Sequence, residues 1–272
     1  MTTSDKVFAG PIPEIYDRLL VPLLFETYAA DLAERVAGLK PLRILEVAAG
    51  TGALTRAMVS RLDGRVHITA SDLNQAMLDR AAARQDAAVA IDWRQADALA
   101  LPFKEQSFDV VACQFGVMFF PDRIRAYREV FRVLNPGGHY LFNAWDRIAQ
   151  NEFPYVVQEA LQPVFPEDPP RFMERTPHGY HDPERIRLDL SAAGFEAITI
   201  EPLSRVSRGR SALDVATAFC QGTPLRSEIE ARSPDDGLDM ATRAAAEALT
   251  RRFGNGPIEG KIKAYVVSAL RP

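Results

Sequence analysis

Residues 44–55 read ILEVAAGTGALT. An apolar run of strand character ends in an acid, and small residues carry the chain into a helical pattern. A strand, a tight glycine-bearing turn and a helix, in that order, make the unit that holds nucleotide-like ligands in α/β proteins. The turn lets a ligand approach the backbone at the head of a helix. The stretch does not by itself say which ligand. The dinucleotide fingerprint G-x-G-x-x-G needs a third glycine for close helix–strand packing. Gly50 and Gly52 fill two of its positions, but Thr55 stands at the third, and Ala48 lies two residues before Gly50. An acid does follow at a suitable distance, Asp72.

Outward from this stretch, strand and helix patterns alternate. Apolar runs predict strands over 43–47, 66–71, 91–95, 109–114 and 139–145, with helices over 54–61, 75–84 and 124–134 between them. The sequence NPGG at 135–138 reads as a helix stop and turn. The strands ILEV and FDVVAC are apolar on both faces, as a sheet covered on both sides requires. The fold class is therefore α/β, a doubly wound Rossmann-like sheet. Before it, Ile15, Leu19, Leu23, Leu24, Ala29, Leu32, Ala33 and Val36 recur at helical spacing across 12–37, and Pro22 is expected to split that run by starting a second helix. Beyond Trp145, residues 150–180 are rich in proline and aromatics. DPERIRLDLSAAGF at 182–195 reads as a capped helix, strands follow near 196–204 and 260–270, and 211–253 is mostly helical. The expected organisation is N-terminal helices over 1–40 that close over the ligand, a binding core over 41–146, and the rest of the sheet over 147–272. Insertions at about 150–180 and 207–256 would cap the substrate.

Composition narrows the partners. With a formal net charge of −4 over 272 residues, the chain is a poor general nucleic-acid binder. Cys113 and Cys220 have no metal spacing and make no disulfide framework, so neither a metal nor an oxidising compartment is expected. The N-terminus MTTSDK has no apolar core of a signal peptide, and no apolar run approaches a membrane span. The expectation is a cytoplasmic protein without an integral membrane segment, with a homodimer left open.

Glu46 bears most directly on the ligand. A carboxylate at the end of a central strand is costly unless it meets a partner. A pyrophosphate would repel it, whereas an ammonium group would not, and no lysine or arginine lies within 44–55 to anchor a phosphate. S-adenosylmethionine fits: its ammonium near Glu46, its ribose near Asp72. Asp97, after the third strand, can accept from the adenine amine, with the Ala98 N–H donating to the ring. The fourth strand ends in CQFGVMFF, 113–120, whose Phe115, Met118, Phe119 and Phe120 suit a sulfonium and an adenine face.

These elements resemble a class I S-adenosylmethionine-dependent methyltransferase, in particular the small-molecule branch that includes the ubiquinone/menaquinone C-methyltransferases. LEVAAGTG (45–52), ASDLNQAML (70–78), WRQADALALPF (93–103), FDVVACQFGVMFFPD (108–122) and EVFRVLNPGGHYLF (129–142) come in family order over roughly 40–145. The resemblance implies a seven-stranded sheet with an antiparallel last strand, and S-adenosylmethionine turned over to S-adenosylhomocysteine. The cofactor residues implied are Tyr16, Glu46, Ala48, Ala49, Gly50, Thr51, Gly52, Asp72, Leu73, Met77, Ala96, Asp97, Ala98, Gln114, Phe115 and Phe119. Met118, Phe120 and Tyr180 are the candidates for a substrate pocket. Ala48 replaces the first glycine of the family's loop. No Asn-Pro-Pro-Tyr-type sequence follows the fourth strand, which speaks against amino-methylation of DNA or of protein glutamine.

In-line displacement from a sulfonium needs alignment and a dry pocket more than a base. The catalytic residue is therefore left unknown, with His178 and His181 of TPHGYHD (176–182) as candidate bases for an acceptor proton. The three arginines of SRVSRGR, 204–210, read as a solvated turn before a charge trap for an acidic acceptor. The acceptor is expected to be a small molecule, apolar or aromatic. A nicotinamide oxidoreductase and a non-catalytic cofactor-binding protein are the competing readings.

Overall fold

The computed structural model describes Phe8 and residues 10–272. Seven strands form one sheet: β1 (Arg43–Val47), β2 (His67–Asp72), β3 (Asp92–Gln95), β4 (Phe108–Gln114), β5 (Leu134–Trp145), β6 (Glu196–Gly209) and β7 (Ile258–Leu270). Their order is β3-β2-β1-β4-β5-β7-β6. β1 pairs in parallel with both β2 and β4, which sets Glu46 between Ala70 and Ala112. The order reverses at β1/β4, the topological switch point at which open α/β sheets bind their ligands. β7 runs antiparallel to β5: the Gly137 N–H donates to Arg271 O, whereas the Asp146 N–H donates to Lys263 O. The seven-stranded, mostly parallel sheet with an antiparallel last strand is as the sequence implies.

Helices cover the sheet where the apolar spacing says they should. On α2 (Glu26–Gly38), Tyr28, Ala29, Leu32, Ala33 and Val36 are buried in one stripe. That stripe packs with Leu54 and Met58 of α3 (Ala53–Val59) on Ile44, Val110, Ala112 and Leu141 of the sheet. α4 (Gln75–Arg84) and α5 (Arg123–Val133) complete the alternation. Asp122 caps α5 by accepting from the Arg125 N–H at 3.0 Å. Asp182 caps α8 (Pro183–Ala192), with proline at the first helical position.

Three local expectations need correction. The N-terminal helix does not break at Pro22. After α1 (Ile12–Ile15) it widens into a π-type run, Tyr16–Phe25, that contains Pro22, and tightens again at Glu26. Proline lacks the N–H that an α-turn needs, and a wider winding is one way a helix absorbs the missing donor. NPGG does stop α5 at Val133, but the turn is a bulge inside β5. Leu134 pairs with Phe108 and His139 with Val110, so the extra residues loop out between them. SRVSRGR is strand, not turn. Most of it closes β6, where Arg208 pairs with Glu259, and Arg210 then pairs with Asp214, both in exposed positions.

The chain divides into two compact units. One comprises Glu26–Ala144, Tyr180–Leu203 and Ala264–Pro272. The other comprises the described residues up to Phe25 together with Trp145–Gly179 and Ser204–Lys263. The second unit gathers the segments read as insertions: α6 (Glu152–Leu161), α7 (Phe172–Arg175), α9 (Ala212–Gln221), α10 (Leu225–Arg232) and α11 (Gly237–Phe253). Its interior holds Leu20, Phe153, Leu161, Phe172, Phe219 and Leu249. Gly260 has no Cβ because one would stand 2.8 Å from the Phe153 ring. Among the described residues, no helix is long and apolar enough to cross a membrane.

Candidate functional site

The loop between β1 and α3 adopts left-handed backbone at Ala48, Gly50 and Gly52, with φ of 57°, 57° and 78°. Glycine takes this conformation freely, whereas a left-handed L-residue is disfavoured by about 1–2 kcal/mol. Alanine at 48 is therefore strained, and its methyl group must also fit. It fits because of Gly116, at the turn after β4. A Cβ on Gly116 would lie 2.5 Å from the Ala48 Cβ and 2.7 Å from Cys113 Sγ. Gly116 has ordinary backbone angles, φ −99° and ψ −32°, so space and not conformation calls for glycine there. Its neighbour Phe115 is itself left-handed, at φ 52°, and its ring meets Tyr28 edge to face at 5.3 Å. Strain at the ends of both β1 and β4 marks the switch point as functional ground.

Glu46 is 1% exposed. Its Oε2 accepts from the Thr55 hydroxyl at 2.5 Å. Thr55, at the position where a dinucleotide fingerprint would carry glycine, thus carries the donor that holds the acid. Burial pushes the Glu46 carboxyl up to about 8, the Thr55 hydrogen bond and the Arg56 charge oppose the rise, and Asp72 adds to it. Arg56, one residue past the 44–55 stretch, donates from Nη1 to Thr51 O at 2.6 Å and braces the turn. Thr51 Oγ1 is buried and makes no hydrogen bond within the protein.

A pH dependence of stability follows. From its ordinary 4.5 to about 8 the folded chain keeps a proton on Glu46 that the unfolded chain has lost. The native state therefore binds more protons across that window, and stability falls as pH rises through it. Burial raises the Asp72 carboxyl too, in the same sense. Unfolding free energies of the ligand-free protein from urea titration should fall from about pH 5 to about pH 8, by on the order of a few kcal/mol, and the urea midpoints with them. The slope should flatten in Glu46→Gln, and a wild-type midpoint that is level or rising across the window would contradict the assignment.

Asp72 closes β2 and ties the loop from the other side. Its Oδ2 accepts from the Gly50 N–H at 2.9 Å and its Oδ1 from the Asn74 N–H at 2.8 Å. The Leu73 side chain beside it is 44% exposed, an apolar surface at the strand end. Met77 is buried, and its terminal methyl is the atom a Gly50 Cβ would meet, at 3.7 Å. The Ala96 N–H donates to Asp72 O, and Asp97, exposed, folds back to accept from the Leu99 N–H at 2.9 Å. Ala98 and Ala49 are buried. Gln114 and Phe119 are half-buried, while Met118 and Phe120 are buried.

The structure brings Glu46, Ala48–Gly52, Asp72 and the Phe115–Gly116 turn together. Leu73, Met77 and Ala96 adjoin this group. Tyr180 is 3% exposed and donates to Asp189 Oδ2 at 2.9 Å, under the Arg123 guanidinium at 4.2 Å from its ring. Tyr28 donates to Leu203 O at 3.0 Å. In the other unit, Tyr16 stacks on Phe25 at 5.2 Å. His178 is buried with Nδ1 2.8 Å from Asp146 O. A carbonyl only accepts, so Nδ1 carries hydrogen and Nε2 is the acceptor nitrogen of the neutral ring. His181 is half-buried. No group of side chains that could hold a metal ion occurs among the described residues.

Comparison with known proteins bears on this geometry. A family model described as a methyltransferase domain matches residues 44–138. Over 199 residues the chain is 31% identical to the demethylmenaquinone methyltransferase of Thermus thermophilus, covering 68% of this chain and 89% of that protein. The chain belongs to the class I S-adenosylmethionine-dependent methyltransferases. A second relative of this methyltransferase, the demethylmenaquinone methyltransferase of Deinococcus radiodurans, is 32% identical over 203 residues, 70% of this chain and 84% of the relative. Among solved structures, the YcgJ protein of Bacillus subtilis shares the fold with a TM-score of 0.57 at 18% identity, covering 90% of this chain and 98% of that one. S-adenosylmethionine is the cofactor of this methyltransferase. The residues present fit it: two buried carboxylates, a turn of left-handed residues and an unpaired Thr51 hydroxyl offer acceptors to a cation and to hydroxyl groups. Sequence reading missed Thr55 as the partner of Glu46, Gly116 as the partner of Ala48, and Arg56 as a brace. The signal for the first two lay in the departures from the dinucleotide pattern, at 55 and 48.

Proposed function

We propose that this methyltransferase acts on a small apolar or aromatic acceptor, of the hydroquinone or phenol class, by in-line transfer. The relationship to two demethylmenaquinone methyltransferases carries the reading of the acceptor. The cofactor supplies an electrophilic methyl group on a sulfonium. The chain supplies binding and alignment. Glu46 faces the ammonium, the Gly50–Gly52 turn admits the amino-acid arm, Asp72 takes the ribose hydroxyls, and Leu73 and Asp97 with the Ala98 N–H receive the adenine. Gln114, Phe115 and Phe119 close the sulfonium side.

Calorimetric titration should give saturable binding of S-adenosylmethionine and of S-adenosylhomocysteine. Turnover to S-adenosylhomocysteine should then be measured against a panel of hydroquinones, phenols, amines and carboxylates. Product with the first two classes and none with the last two is expected. Product confined to amines or carboxylates overturns the acceptor class, and absence of binding by either cofactor form overturns the whole reading.

A further inference from the structure

We propose that Thr55 is a positioning residue for Glu46, and that the pair couples cofactor uptake to the release of one proton from Glu46 to solvent. This rests on the reading that Glu46 faces the cofactor ammonium.

The geometry places a carboxyl group where it is difficult to keep charged and provides one short hydroxyl contact to orient it. Glu46 lies between Ala70 and Ala112 on neighbouring strands, with Leu45 and Val47 buried on either side. The Ser71 hydroxyl donates to its backbone carbonyl, not to its carboxyl. Among the described residues, the ionisable groups facing it are Arg56 from α3, Asp72 from β2 and Cys113 from β4. Only Arg56 favours its charge, and the Arg56 Nη1 is turned to Thr51 O. The acid is accordingly protonated at neutral pH in the ligand-free chain, its carboxyl lying near 8. An ammonium brought beside it favours the anion. The Glu46 O–H bond then breaks, the proton passes to the buffer, and a carboxylate–ammonium pair is left. Thr55 matters because its hydroxyl donates to the carboxyl and so lowers the pH at which that ionisation occurs. Thr55 is itself fully buried, so the hydroxyl is fixed by the packing of α3 on the sheet.

The test is calorimetry of S-adenosylhomocysteine binding at pH 7 in buffers of different ionisation enthalpy, which counts protons exchanged. Wild-type protein should release close to one proton per site. Binding of 5′-methylthioadenosine, which lacks the amino-acid arm, should release none. A ligand amine that acquired a proton would give uptake, the opposite sign. Thr55→Val should move the pH midpoint of affinity upward and weaken binding at pH 7 by about tenfold, with the gap closing at high pH and Thr55→Ser restoring both. A Thr55→Val effect equal at all pH values would make Thr55 merely structural and overturn its positioning role. Wild-type binding without proton release would overturn the coupling, and needs no variant to fold. Absence of wild-type binding at every pH would instead defeat the assignment of the cofactor site beneath it.

Discussion

Gly116→Ala should destabilise the protein by about 2–3 kcal/mol, the upper part of the range for forcing an extra carbon into packed surroundings. The backbone at 116 would accept alanine without strain. The loss comes from the new methyl group, which would stand 2.5 Å from the Ala48 Cβ and 2.7 Å from Cys113 Sγ, both attached to rigid strand ends. Neither is the far end of a flexible side chain that could swing away. Ala48 can retreat only by moving the cofactor loop, so affinity for S-adenosylhomocysteine should drop along with stability. Ala48→Gly alone should be neutral to mildly stabilising. It relieves about 1–2 kcal/mol of left-handed strain, against about 0.4–1 kcal/mol of added freedom in the unfolded chain. In the double variant the worse of the two contacts is gone and the contact with sulfur remains, so about half of the loss should return. A double-mutant cycle by urea unfolding measures this coupling. Additive effects would mean that the two residues do not share the space the structure assigns them.

This pair shows what could be read in the sequence and what could not. The apolar run ILEV gives β1 its bounds, and the alternation after it gives the sheet, because burial on two faces is written into composition residue by residue. The acid at the strand end and the small residues behind it point to the cofactor. What one segment demands of another is not written locally. Alanine at 48 looks like a weakened loop until Gly116, in the turn after a different strand, is seen to make the room. Thr55 looks like a missing glycine until its hydroxyl is found on Glu46, nine positions earlier and across a turn. Pro22 follows the same rule: its missing donor is legible, but whether the helix breaks or winds wider depends on what packs around it. The segments at 150–180 and 207–256 read as separate insertions because periodicity is local. Their assembly with the N-terminal residues into one unit depends on contacts that no single stretch records.

Asp72→Ala should weaken S-adenosylmethionine binding by about a hundredfold or more and destabilise the ligand-free chain by about 1–3 kcal/mol, the loss associated with unpairing buried donors from a charged acceptor. Two effects combine. The carboxylate holds the Gly50 N–H through one oxygen and the Asn74 N–H through the other, so it fixes the turn before any ligand arrives. In the proposed complex it also accepts from the ribose. Asp72→Asn should rescue little. An amide has one acceptor oxygen, and its NH2 would face whichever of the two N–H groups lost its partner. The two effects separate with a cofactor analogue lacking the ribose hydroxyls. If Asp72 only shapes the loop, alanine should weaken the natural ligand and the analogue by the same factor. If it also binds the ribose, the natural ligand should lose more, by the factor of about ten or more that one charge-assisted hydrogen bond is worth. Equal losses would leave Asp72 as the fastening of the Gly50 turn and remove it from the list of residues that touch the cofactor.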